Sequence, residues 1–183
     1  MNSEQLNLIQ NWFLNYTQTF KEEDGKLVFP LQMKMEHSAR VVDDSRTLAR
    51  QAGWTEPDVR VAEAIGWLHD VARFSQFKEF HTFHDPRSAN HGEWGWDILK
   101  QGDLLVACDP LDRQRVLDGV RYHNRKTIPV ETAEDSLRFV KLIRDADKID
   151  IYKIFDDSLA QNLFERYPDA LLHVSMEGAV NPL

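Results

Sequence analysis

Helical spacing dominates this chain, and no stretch of it alternates as a strand does. Leu6, Ile9, Phe13 and Tyr16 recur at roughly helical intervals across residues 4–19, which predicts a first helix. Asp24–Gly25 punctuates a connection, and Pro30 can open a second helix running from about 31 to 52. Gly53 is placed to stop it in a left-handed conformation. Thr55 can cap a third helix, with Pro57 in its first turn. That helix should pass through VRVAEAIGWLHDVARF, which is apolar over so much of its surface that it should be central and buried. Residues 76–88, QFKEFHTFHDPRS, break the pattern and read as an aromatic, partly charged loop. Helices are expected again at about 89–101, ending at Gly102, and at about 110–122. After the proline-containing connection NRKTIPVET, a long helix should begin near Glu134 and pass through LRFVKLIRDADKIDIYKIF. The pattern weakens from about Pro168, and no repeat or low-complexity tract interrupts it. The expectation is an all-α fold: one compact multi-helix bundle over residues 1–183, with its core at about 30–155, an N-terminal helix and a C-terminal extension.

Composition narrows the function classes. Of 183 residues, 42% are hydrophobic and 28% charged, an ordinary globular balance, and five tryptophans and ten phenylalanines supply bulky core material. No apolar run approaches the roughly 18–20 residues that span a bilayer, and the start, MNSEQLNLIQNWF, shows no secretory signal pattern. The single cysteine, Cys108, rules out an intramolecular disulfide and fits a reducing cytoplasm. A net charge of −8 argues against a broad nucleic-acid footprint. It leaves room for a small anionic substrate, because bound divalent cations reverse the sign locally. A homo-oligomer is compatible with this sequence but not indicated by it.

Within these helices sit groups that could hold metal. Divalent transition metals favour imidazole nitrogen and carboxylate oxygen converging on one point. His69 and Asp70 are adjacent, in otherwise apolar surroundings (Ala64, Ile65, Trp67, Leu68, Val71, Ala72). An ionised Asp beside a His in such a segment is costly unless paired or bound to metal. A helix-end His with a capping or salt-bridged Asp reads equally well from these two residues alone. His37 lies in the second helix, His91 opens the fourth, and His123 ends the fifth. Each alone fits a core or capping role too. The run RDADKID offers Asp145, Asp147 and Asp150. Asp145 and Asp147 lie about 200° apart on a helix, so only one can face a given interior point, whereas Asp147 and Asp150 share a face.

The ordered set His37 (EHSARVV), His69–Asp70 (WLHDVARF) and an aspartate of DADKID resembles the signature of the HD superfamily of metal-dependent phosphohydrolases, over about residues 30–155. The resemblance implies Asp147 as the last ligand, with Asp145 as the alternative. His91 in HGEWGWDIL and His123 in RYHNR are similar to the further histidines of two-metal members such as the HD-GYP group. The implied set is His37, His69, Asp70 and Asp147 on one ion, with Asp70 bridging to a second held by His91 and His123. The GYP triplet is missing, and Asn124 stands where that group has another histidine, so cyclic dinucleotide hydrolysis is not implied. One or two ions, of manganese, iron, cobalt, nickel, zinc or magnesium, fit this set.

What the resemblance implies is hydrolysis of a phosphoester in a nucleotide or other small phosphorylated metabolite by metal-activated water. Asp70 would bridge the ions or accept a proton, and Arg73, one turn on, would neutralise phosphoryl charge. Arg40, Gln76, His84 and Asn124 are candidate substrate contacts, with His81 beside His84 in the aromatic loop. Two other readings stay open: a di-iron oxygenase using the same ligand order, and a non-catalytic nucleotide-binding regulator.

Overall fold

Caps and prolines set the helix boundaries, and the computed structural model describes residues 1–168. The helices are α1 (Ser3–Gln18), α2 (Phe29–Gln51), α3 (Glu56–Leu68), α4 (Ala72–Phe80), α5 (His91–Gln101), α6 (Pro110–Tyr122), α7 (Glu134–Ala160) and the short α8 (Leu163–Arg166), with one 3-10 turn at Asp85–Arg87. No strand occurs among the described residues, and the fold is all-α. Of the expected C-terminal extension, the end of α7 and α8 are described, and the part after position 168 lies outside the described residues. Asn2 caps α1 with a reciprocal bond from Gln5, Thr55 accepts from the Asp58 amide at the start of α3, and Asn90 accepts from Glu93 at the start of α5. Gly53 does take the left-handed conformation, at φ 73°.

Helix α3 is the centre, packed against α1, α2, α6 and α7. Val59, Val61, Ala62, Ala64, Ile65 and Leu68 are fully buried along it. Each large aliphatic side chain so placed contributes roughly 1.5–3 kcal/mol. The approach of α2 is as close as backbones allow. A Cβ at Gly66 would stand 3.0 Å from Val42 Cα, so glycine is what permits this spacing.

One boundary differs from the sequence expectation. The third helix does not continue to Phe74. It ends at Leu68, turns through His69, Asp70 and Val71, and restarts as α4. The turn is tightened by the Val71 amide donating to the Leu68 carbonyl at 3.1 Å and the Arg73 amide to the Asp70 carbonyl at 2.9 Å. On a straight helix His69 and Asp70 would diverge by about 100°; the break lets both turn inward. Accordingly the first part of the expected loop is α4, and the true loop spans residues 81–90. Its Phe83 is buried among Phe74 and Phe77, which pins the loop to the body of the protein.

Candidate metal centre

Five elements deliver side chains to one buried point. His37 comes from the middle of α2 and Asp147 from α7; His69 is the C-cap of α3 and Asp70 follows it; His91 is the first residue of α5, and His123 the C-cap of α6. His37 Nε2 lies 3.2 Å from His69 Nε2, 3.1 Å from Asp147 Oδ1 and 3.6 Å from Asp70 Oδ2. His69 Nε2 lies 3.7 Å from that Asp70 oxygen and 3.8 Å from Asp147 Oδ1. On the other side His91 Nε2 and His123 Nε2 are 2.9 Å apart, at 3.4 and 3.7 Å from Asp70 Oδ1. Atoms bonded to one cation at about 2.0–2.2 Å stand roughly 3–3.5 Å from each other, so both clusters have the right size. Asp70 divides its two oxygens between them. Asp145, the alternative ligand, is exposed.

The protons sharpen this geometry. His37 donates from Nδ1 to Asp150 at 2.6 Å, and His91 from Nδ1 to Asp85 at 2.7 Å; an ionised carboxylate can only accept, which fixes the donor. His69 and His123 donate from Nδ1 to the carbonyls of Gly66 (2.9 Å) and Val120 (2.7 Å). With Nδ1 carrying the proton in each ring, the neutral form of each imidazole turns a bare Nε2 lone pair toward the other rings and toward carboxylate oxygens. Such a cluster repels itself unless positive charge lies inside it. The donor set thus fits divalent cations, with every ring oriented by a partner at its far nitrogen.

Electrostatics agree. Burial pulls His69 down to about 4 and, helped by the Arg73 charge, His91 down to about 3, so both stay neutral. Burial and Lys34 oppose charge on His37, yet the carboxylates of Asp147, Asp150 and Asp70 outweigh them and raise its pKa. The same negative field favours a metal ion at that point. Burial alone would push Asp70 up, but Lys34, then His69, His123 and Arg73, hold it well below the carboxylate range. Asp147 is likewise lowered against its burial, by His37 and His69.

The expected substrate contacts are placed differently from one another. Arg73 Nε lies 3.4 Å from Asp70 Oδ1, but its Nη1 donates to the Phe83 carbonyl, Gln76 and Asp85 at 2.5, 2.7 and 3.0 Å. Arg40 is forked onto Asp150, at 2.5 and 2.9 Å. Both guanidinium groups are spent on the carboxylates that orient His91 and His37. Gln76 has no exposed surface; its amide nitrogen reaches Asp85, Ser88 and the Ala89 carbonyl, which makes it a tie for the loop. Asn124 donates to Asp85 and Asn90, at 3.1 and 3.2 Å, beside His91. A Cβ at Gly92 would come within 2.6 Å of Asn124 Oδ1, so only glycine lets α5 begin this close to the end of α6. His84 keeps a buried Nδ1 with no hydrogen-bond partner. His81 is the exposed, left-handed C-cap of α4.

Three residues have roles that the sequence reading did not assign. Asp85 and Asp150 orient imidazoles, and Lys34 donates to Asp70 Oδ2 at 2.8 Å. Lys34 had a readable signal, lying one turn before His37 on one helix face. Asp150 shares a face with Asp147 in the same way. Asp85 had none, because Asp-Pro in a loop reads as a turn.

The chain's likeness to known proteins bears on the same residues. A family model described as the HD domain matches residues 35–152, a stretch that runs from just before His37 to just after Asp150. No curated protein and no solved structure matches the chain. No helix among the described residues is long and apolar enough to cross a membrane. With the family model covering well over half the sequence, and two His/Asp clusters of metal-binding dimensions inside it, this chain belongs to the HD domain family.

Proposed function

We propose that this protein is a metal-dependent phosphohydrolase that cleaves the phosphoester of a nucleotide or another small phosphorylated metabolite. Family membership and the two clusters support metal-dependent phosphohydrolase activity in general terms. The observation that carries the reading is the set of four imidazoles whose Nδ1 protons are all committed, leaving four Nε2 lone pairs around the two oxygens of one buried aspartate.

His37, His69, Asp70 and Asp147 would hold one cation, and Asp70, His91 and His123 a second. Bound there, divalent cations acidify water and offset charge on phosphoryl oxygens. Asp147 is the most exposed of these ligands and marks the side open to solvent. Lys34 reaches the same region with its side chain 13% exposed. Arg40 and Arg73 each have a carboxylate partner outside the ligand set, whereas the carboxylate partner of Lys34 is the ligand Asp70 itself. A lysine ammonium has three donors, and Asp70 takes one. Lys34 is therefore better placed than either arginine to hydrogen-bond a phosphoryl oxygen. The near-complete burial of the imidazoles keeps bulk water from competing at their lone pairs.

The test is elemental analysis of purified protein, then a phosphatase and phosphodiesterase panel with manganese, cobalt, nickel and magnesium. Phosphate release that requires the metal is expected. Iron-dependent oxygen consumption without phosphate release would overturn the hydrolase reading, as would nucleotide binding with no turnover across the panel.

A further inference from the structure

We propose that Asp85, in the loop between α4 and α5, is a positioning residue that decides whether the second cation is retained, leaving the first untouched. The proposal rests on the two-cation reading above and assigns a role to a residue outside the ligand set.

The Asp85 carboxylate is a junction. It receives His91 Nδ1 on both oxygens, at 2.7 and 2.9 Å. It also receives Arg73 at 3.0 Å, Gln76 at 2.9 Å and Asn124 at 3.1 Å. Two consequences follow for His91. Its ring is fixed with Nε2 toward Asp70 and His123, and its basicity as a ligand is raised by the anion behind it. A third consequence concerns Arg73, whose Nε stands 3.4 Å from Asp70 Oδ1, the oxygen on the second cation's side. Without Asp85 the only carboxylate facing that guanidinium among the described residues would be Asp70, so the arginine and the second ion would compete for the same oxygen.

The effect is confined by connectivity. None of the residues gathered by Asp85 touches His37, His69 or Asp147. That half is braced by Asp150 and Arg40; the halves share Asp70 and otherwise meet where the His69 and His123 rings pack edge to face at 5.1 Å, and Asp85 bonds to neither of those two rings. Asp85 also comes from a 3-10 turn in a loop, pinned by Phe83 and by Gln76 bonds to Ser88 and Ala89. Holding the second cation and docking the loop are therefore one event.

The experiment compares full-length wild type with Asp85→Asn by manganese titration calorimetry and by elemental analysis after gel filtration. Wild type should bind two equivalents. In Asp85→Asn the second equivalent should weaken by about 10–100-fold and be lost on the column, with the first unchanged. The double variant Asp85→Asn/His91→Ala should bind as His91→Ala alone does, because Asp85 acts through that ring; a merely structural role would give additive losses. If Asp85→Asn loses its helical circular dichroism, Asp85→Ser, which leaves room for water against Arg73 and Gln76, is measured instead with the same expectation. Two tight equivalents in the folded variant would overturn the proposal and leave the metal reading standing, as would a single equivalent in wild type that the variant retains. No metal in wild type would remove the metal reading and this proposal with it.

Discussion

The half of the centre around His37 and His69 and the half around His91 and His123 use the same plan with different materials. In each, one imidazole is oriented by a backbone carbonyl three residues back, and the other by a carboxylate that is itself paired with an arginine. In the first half everything outside the α3 end comes from two long helices, α2 and α7, and Asp147 adds a further carboxylate. In the second half the supporting carboxylate comes from a loop, and the histidines sit at the extreme ends of α5 and α6. Helix interiors are held by many neighbouring turns, whereas loop and helix-end geometry depends on a few bonds. The first half should therefore be the stronger metal holder and the second the more easily perturbed.

The largest effect should come from the residue the halves share. Asp70→Ala removes an oxygen from each, and turnover should fall by roughly 10³-fold or more, with metal content close to zero by elemental analysis. A variant that kept one full equivalent would show that the halves are independent. Next is Gly92→Ala, whose methyl must displace Asn124 and the Arg121 carbonyl. It should lower stability by roughly 1–3 kcal/mol in thermal melts. It should also weaken the second equivalent while sparing the first. Equal loss from both would contradict the division.

An acid titration of EDTA-treated protein probes both halves through His69 and His91. Their pKa values are pulled from the ordinary 6.5 to about 4 and about 3. Below pH 6.5 the unfolded chain takes up protons on these rings while the folded chain does not. Stability should thus decline as pH falls from about 6.5 toward 4, on the order of 1 kcal/mol per pH unit for each ring. The raised pKa of His37 opposes this trend, and the lowered carboxylates Asp70 and Asp147 add their own loss only below about pH 4. A melting temperature flat between pH 6.5 and 4.5 would mean that the rings are not held neutral. The smallest effect belongs to Lys34→Gln, on the first half's side of Asp70. KM for a phosphorylated substrate should rise about tenfold, one charged hydrogen bond's worth, with metal content unchanged. A fall in metal content instead would place Lys34 among the supports of Asp70.

The residues of the two clusters were legible as a set through the resemblance to the HD superfamily, whereas each histidine taken alone fitted a core or capping role. Their supports were not legible. Asp150 lies far along the chain from the imidazole it orients, and Asp85 reaches His91 only because the loop folds back under Phe83. Arg73 and Arg40 were expected to meet substrate, since an arginine one turn from a ligand reads as a phosphate clamp. Pattern alone cannot show that Asp85 and Asp150 already pair with them. The same holds for the break after Leu68, which apolar periodicity runs straight through.

Gly66 carries a consequence for ion choice. Its carbonyl orients the His69 ring, and its missing side chain brings α2 and α3 to their minimum separation, with His37 and His69 carried on those two helices. A methyl at this position would force its neighbours to give by a few tenths of an ångström. That increment is of the same order as the gap between magnesium–oxygen bonds of about 2.0–2.1 Å and calcium–oxygen bonds of about 2.3–2.6 Å. A missing side chain thus works as a calliper between the two imidazoles, and Gly66→Ala, which widens it by one carbon, should shift the preference toward larger ionic radii.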